Sequence, residues 1–367
     1  MRALHILRNI GWIALSAAIV LSAGACVKKD AAGPRAAQSG EQAVPSASTS
    51  SVAPSKAQAS SSDFASIAKE RTRTIITKRT QSHSTSSQIS SELTVTPGVL
   101  TMLRMPEASG TRVYKKNGIT VDASHTTDGY FMVRHELTEQ QLRIEITKNN
   151  VTYGYDLGSS TDYETFPLQM GDGVYQIVAM SHLSGNYYNK LCTFSLVVHI
   201  KDEAATFLYP NQYVCFDAQS LAAQTSYTLC KGIESDADKI RAIYSYIVGN
   251  IRYDFEKAQS VRAGYVSDVD RTLRTKKGIC VDYAALFAAM LRAQGIPAKM
   301  VTGEVSGGAQ HHAWNSVYVS QAGQVTDHVY LSGPGWVRLD PTFAAAQNDN
   351  AESYVGDGKN YAEQKYY

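Results

Sequence analysis

Neither sign of charge prevails in this 367-residue chain: 35 lysines and arginines stand against 33 aspartates and glutamates, a formal net charge of +2. Proteins that grip nucleic acid carry a basic patch or stripe, so the balance gives no case for that partner. No glycine-rich nucleotide-binding loop is present. Neither Cys-x-x-Cys nor His-x-x-x-His occurs; without such ligand spacing no metal site is expected, and no cofactor is called for. Cysteine is scarce, at five residues: Cys26, Cys192, Cys215, Cys230 and Cys280. If Cys26 is acylated and Cys280 is a nucleophile, three are left, and an odd number cannot all pair. A Cys215–Cys230 bridge is conceivable and nothing more.

What is present is ordinary globular composition, 44% hydrophobic and 19% charged, over a length that suits two or three domains. One stretch organises the rest. From Gly278 to Leu291 a glycine stands two residues before Cys280, and Ala284, Phe287, Ala288 and Leu291 then recur at the spacing of one buried helix face. Cys280 is therefore expected at a helix N-terminus, where unpaired backbone N–H groups and the helix dipole favour a negatively charged sulfur. A thiolate is the form that nucleophilic chemistry uses. A small buried core cysteine would fit the residue type equally well. Two polar residues downstream decide between these readings. His312 is followed by apolar alternation at Trp314, Val317 and Val319, and Asp340 ends a short apolar segment before Pro341. Each reads as projecting from a strand at the edge of a core. A nucleophile on a helix start, a histidine on one strand and an aspartate after the next is the arrangement of a Cys-His-Asp acyl-transfer site. His311 should point opposite to His312 and stand at the rim.

The order Gly278-x-Cys280-x-Asp282-Tyr283-Ala284, Leu291-Arg292-x-x-Gly295-Ile296-Pro297-Ala298-Lys299, Gly303, His312-Ala-Trp-Asn, Trp336 and Leu339-Asp340-Pro341-Thr342 resembles the transglutaminase-like core. The likeness covers roughly 218 to 343, and Ile243 to Asp254 resembles the helix and short strand that precede the family's nucleophile. The resemblance implies an α+β, papain-like fold and carries the triad over as Cys280, His312 and Asp340. It also implies an upstream side chain that helps hold the oxyanion. By position the candidate is Tyr253, with a packed strand tyrosine as the alternative. Trp314 and Trp336 resemble cleft-lining residues of the family, although plain packing would account for them too. The reaction stays open, because the superfamily includes peptidases, amidases, cross-linking transferases and members without activity.

Taken in order, residues 1–25 read as a signal peptide, with early positive charge and an apolar run from Ile10 to Leu21 that is too short to span a bilayer. Ala23-Gly24-Ala25 before Cys26 is a cleavage site for free secretion, and it also resembles a lipobox that would make Cys26 a lipid anchor. Residues 26–62 hold almost no large apolar side chain and are expected to be a flexible tether. Residues 63–109 resist assignment. Over 110–201 the period becomes two. Leu142, Ile144 and Ile146 face Val151, Tyr153 and Tyr155 across Asn149-Asn150 as a hairpin, and the short strands that follow predict a small antiparallel β-sandwich-like domain. Its aromatics Tyr130, Phe131, Tyr187 and Tyr188 could offer a binding face or serve as strand packing. Residues 202–345 make the transglutaminase-like domain, with a helix ending near Gly249-Asn250, and 346–367 look like a C-terminal appendage.

The expectation is thus an exported thiol enzyme, held on the outer face of a bacterial membrane or secreted, that acts on a protein or peptide, cell-envelope peptides among them. With water as acceptor it is a cysteine peptidase or amidase. With an amine it is a protein-glutamine transglutaminase. A non-catalytic envelope-binding protein is the reading from another class.

Overall fold

A computed structural model describes residues 98–99, 103–137, 141–158, 161–262, 264–305, 310–325, 330–331, 333–345 and 360–367. The expected signal peptide, Cys26, the tether and the loop 306–309 before His312 lie outside the described residues.

The first half is built from strands β1 (Val113–Lys116), β2 (Ile119–Asp122), β3 (Tyr130–His135), β4 (Leu142–Lys148), β5 (Val151–Leu157), β6 (Glu164–Pro167), β7 (Gly173–Ser184) and β8 (Tyr187–Val198). They form two four-stranded sheets, ordered β1-β2-β3-β6 and β5-β4-β7-β8, with every pairing antiparallel. The alternation in β4 is the cause of its placement. Leu142, Ile144 and Ile146 are buried while Arg143 and Glu145 on the other face are only half-buried, so a shift by one residue would invert both sets. Asn149 and Asn150 both take positive φ, 48° and 64°, which a two-residue turn between twisted strands requires. Val121, Phe131 and Phe166 from one sheet meet Ile144, Tyr155, Ile177 and Leu196 from the other in a single apolar core. Tyr130 and Phe131 are buried and Tyr187 is 75% exposed, so the four aromatics do not share one face.

The second half holds helices α1 (Leu221–Cys230), α2 (Asp236–Asn250), α3 (Phe255–Ser260), α4 (Val269–Thr275), α5 (Cys280–Arg292) and α6 (Pro341–Ala345). Between them run strands β9 (Arg252–Tyr253), β10 (Lys277–Gly278), β11 (Ala298–Val305), β12 (Gln310–Val319), β13 (Gly323–Gln324), β14 (Tyr330–Leu331), β15 (Gly335–Leu339) and β16 (Tyr361–Tyr366). One buried face is expected for α5, yet all thirteen of its residues are buried. Helices α1, α2, α4 and α6 cover it on one side, and β11 and β12 on the other. A helix enclosed all round needs apolar or internally satisfied residues everywhere, and three polar bonds fix this one. Ser226 Oγ on α1 donates to Met290 O at 2.6 Å, Tyr283 Oη to Ile251 O at 2.6 Å, and Asn315 Nδ2 on β12 to Ala284 O at 2.8 Å.

The sheet beside α5 has the order β15-β12-β11-β16. Its fourth strand corrects the reading of 346–367 as an appendage, because Tyr361–Tyr366 pairs antiparallel with β11. Three polar residues in a row, Glu363, Gln364 and Lys365, and a register shift where they meet Thr302 and Gly303 hide an edge strand from any apolar alternation. The pairing needs Gly303, where a Cβ would meet the carbonyl oxygen of Ala362 at 2.0 Å. Just beyond β16, Tyr367 is buried and exchanges both backbone bonds with Met300 at 2.8 and 2.9 Å.

Arg292, the last residue of α5, is wholly buried. Its guanidinium donates to Ala298 O at 2.9 and 2.7 Å, to Tyr209 O at 2.8 Å and to Tyr367 O at 2.7 Å. Burial pulls its pKa down to about 9, partly countered by nearby Tyr155. Tyr367 also belongs to the core of the first half, its ring 4.0 Å from that of Tyr213, so the two halves share an interior.

Candidate active site

Cys280 is the first residue of α5, delivered by a short parallel ladder in which Gly278 of β10 lies opposite Tyr253 of β9. The turn into the helix is pinned by Asp282, which is fully buried. Its Oδ2 accepts from Ile279 N at 2.8 Å and from Lys257 Nζ at 2.5 Å, and its Oδ1 from Tyr265 Oη at 2.6 Å and Ser267 Oγ at 2.9 Å. A buried carboxylate is tolerated when paired and saturated with donors, and this one locks the backbone on which the sulfur stands. Gly278 fits because a Cβ there would press on the Asp282 side chain at 2.7 Å.

His312 lies in β12, paired with Gly303 of β11. The pairing of Asn315 with Leu339 brings the residue after β15, Asp340, to the imidazole. His312 Nε2 lies 2.7 Å from Asp340 Oδ2, with the aspartate side chain fully buried and the histidine 10% exposed. The other oxygen of Asp340, Oδ1, accepts from the backbone N–H groups of Thr342 at 3.0 Å and Phe343 at 3.2 Å, so the aspartate caps α6 while Pro341 opens it. Tyr361 Oη on β16 donates to Oδ2 at 2.9 Å, and Tyr244 Oη on α2 to the Asp340 carbonyl at 3.3 Å. The Phe343 ring stacks on the imidazole at 4.5 Å.

Burial alone would depress the His312 pKa. The Asp340 charge and hydrogen bond, followed by a hydrogen bond with Cys280 and the charge on its sulfur, outweigh burial and bring it up to about 10. With Nε2 committed to Asp340, Nδ1 is the nitrogen left for the sulfur. Tyr253 is half-buried, and its phenol proton is held more tightly by burial first and by the Cys280 charge second, which puts it within electrostatic reach of the sulfur. Its ring meets the largely exposed Phe255 edge-on at 5.0 Å.

Cys280, His312, Asp340 and Tyr253 are thus brought together. Of the two tryptophans, Trp314 is not a cleft wall. Trp314 is fully buried behind His312, its ring edge-on to Tyr361 at 4.9 Å, so it cannot line an open groove. Trp336 belongs to another cluster, where Lys299 Nζ lies 4.0 Å from its ring and 4.9 and 4.6 Å from those of Phe207 and Tyr366. Cys230 is a buried free thiol, so the conceivable bridge to Cys215 is not formed. A cavity of about 20 Å³ lined by Tyr265, Val281, Thr302, His311 and His312 touches the site and has room for about one water. The larger depression, about 770 Å³, lies between α1 and α2 around Ser235 and Arg241 and holds none of the candidate residues. Among the described residues, no three His, Cys, Asp or Glu side chains converge as metal ligands.

Sequence reasoning missed Asp282 as an anchor, Phe343 as the stacking ring and Tyr361 as a second donor. The first had a signal, an acidic residue two places after the cysteine in the helix's first turn, where such residues cap. Tyr361 had none.

Residues 223–341 match the family described as the Transglutaminase-like superfamily. Kyphoscoliosis peptidase of Mus musculus is 34% identical over 115 residues, which are 29% of this chain and 17% of that protein. The uncharacterized protein YebA of Bacillus subtilis is 24% identical over 228 residues, 55% of this chain and 30% of that one. The chain therefore spans less than a third of either relative's length. Among solved structures, a candidate cysteine protease from Cytophaga hutchinsonii aligns at a TM-score of 0.35 with 18% identity, covering 66% of this chain and 72% of that one. Red sea bream transglutaminase aligns at 0.26 with 13% identity, covering 58% and 48%. Residues 223–341, which carry Cys280, His312 and Asp340, are a transglutaminase-like domain.

Proposed function

We propose that the chain is an exported thiol acyl-transfer enzyme, in the first place a cysteine peptidase or amidase acting on a protein or peptide. What carries this reading is the relay from Cys280 through His312 to the buried Asp340, with the imidazole held as its cation up to about 10. An imidazolium beside the sulfur is the partner that a thiolate nucleophile requires. The Cys280 thiolate adds to the scissile carbonyl carbon and forms a C–S bond. The oxyanion takes the Cys280 N–H and the Tyr253 hydroxyl as donors. Collapse breaks the C–N bond, and the imidazolium gives its proton to the departing amine. Water, deprotonated by the now neutral His312, adds to the thioester and releases the acid and the thiolate. Asp340 keeps the ring in one orientation throughout. Export rests on the first 25 residues, and attachment to the outer face of a membrane on Cys26.

A fluorogenic peptide library, run with and without a labelled primary amine, tests the reading. Product release without amine incorporation is the expected result, and Cys280→Ala lowers it by at least about a thousandfold. Tyr253→Phe lowers kcat by about 10²–10³ if its hydroxyl serves the oxyanion. Amine incorporation in place of release would assign a cross-linking transferase. Neither activity, together with Cys280 reacting with iodoacetamide like an ordinary exposed thiol, would leave an envelope-binding protein.

A further inference from the structure

Asp340 offers two oxygens to the site, and they are used differently. Oδ1 is occupied by the N–H groups of Thr342 and Phe343, which are fixed by the chain itself. Oδ2 alone serves side chains, and two of them share it, His312 Nε2 at 2.7 Å and Tyr361 Oη at 2.9 Å. An ionised carboxylate only accepts, so both must donate. Tyr361 is held for this task. Its ring lies edge-on to Trp314 at 4.9 Å and beneath the Arg338 guanidinium at 4.2 Å, and its backbone pairs with Val305.

We infer that Tyr361 is a positioning residue: by sharing Asp340 Oδ2 with His312, it fixes the carboxylate in plane with the imidazole and weakens its hold on the imidazolium proton. Two donors on one oxygen divide its charge. Without the phenol, Asp340 would bind the imidazolium more tightly and release its proton to a leaving amine less readily. The inference rests on the acyl-transfer reading for its consequence in turnover, but not for its electrostatics. The titratable and charged groups facing this pair are Cys280 on α5, Tyr244 on α2 and Arg338 on β15.

The test is Tyr361→Phe, which keeps the ring and its packing and removes only the donor. His312 is followed by NMR of ring-labelled histidine, and Cys280 by its alkylation rate against pH. Neither needs a substrate, so absence of turnover would sink the acyl-transfer reading without touching this result. The expected outcome is a His312 midpoint raised by about half a unit, the size of losing one shared bond to a charged group, with kcat reduced and KM held on any substrate found. An unmoved or lowered midpoint overturns the inference and leaves Tyr361 as packing. Should the variant not fold, replacement of Tyr361 by 3-fluorotyrosine, a stronger donor of nearly the same shape, must lower the midpoint; no change there overturns the inference equally. In an Asp340→Asn background, Tyr361→Phe is expected to shift nothing further.

Discussion

At His312 two opposed influences can be separated by pH. Burial favours the neutral ring and Asp340 the charged one, and Asp340 wins. An imidazole with an ordinary value of 6.5, held up to about 10 in the fold, contributes stability that is complete below 6.5 and is lost as pH rises through 10. Urea midpoints are therefore expected to fall between these limits in the unmodified protein, and to fall less across the same window in Asp340→Asn. The alkaline limb of kcat/KM moves with them, from near 10 down toward 6.5 in the variant. A limb that stays in place would show that His312 is not the titrating group. The three candidate residues were legible because Cys280, His312 and Asp340 each interrupt an apolar pattern that assigns its element. The residues that tune them were not. Phe343 and Tyr361 are ordinary apolar and aromatic side chains, and only the meeting of α6, β12 and β16 gives them a role.

Elements explain where periodicity succeeds and where it stops. The β4–β5 hairpin and α5 were both legible, since a period of two and one of 3.6 are hard to confuse. Two things were not. Total enclosure of α5 depends on neighbours far away in the chain, and β16 is recruited by backbone pairing with β11, which leaves little mark on side-chain type. Its admission ticket is Gly303. Gly303→Ala sets a Cβ against a backbone oxygen at 2.0 Å, which cannot swing away. The variant is expected to lose about 1–3 kcal/mol, as overpacked sites do. Hydrogen exchange at the Met300 and Tyr367 amides should quicken, and the His312 midpoint should shift in the same direction as in Tyr361→Phe. Unchanged protection of those two amides would mean that β16 tolerates the methyl group. The junction of β10 and α5 offers a separate test. Asp282→Ala leaves Lys257, Tyr265 and Ser267 without their common acceptor, and breaking such a buried pair costs about 3–5 kcal/mol, readable as a drop in the urea midpoint.

For the molecule as a whole, Arg292 joins parts that composition alone would keep apart. Its three carbonyl partners come from the start of β11, from the segment between the two halves and from the residue after β16. Arg292→Met removes the donors while keeping the bulk. Unmatched buried carbonyls cost about 1–3 kcal/mol each, and relief from a buried charge returns part of that. The net expectation is a loss of roughly 2–5 kcal/mol in urea unfolding, larger than for a surface arginine such as Arg241→Met, which is 51% exposed and paired with the similarly exposed Asp238. Equal losses in the two variants would sink the assignment. None of this was legible from the chain, because a lone arginine ending a helix reads as a solvated C-terminal cation.

The order in which these parts become available has a consequence for biosynthesis. Translation supplies Cys280, His312 and Asp340 before residues 361–367 have been made, so the phenol on Asp340 Oδ2 and the Tyr367 acceptor for Arg292 join the other side chains later. The finished arrangement arises only once that strand docks on β11.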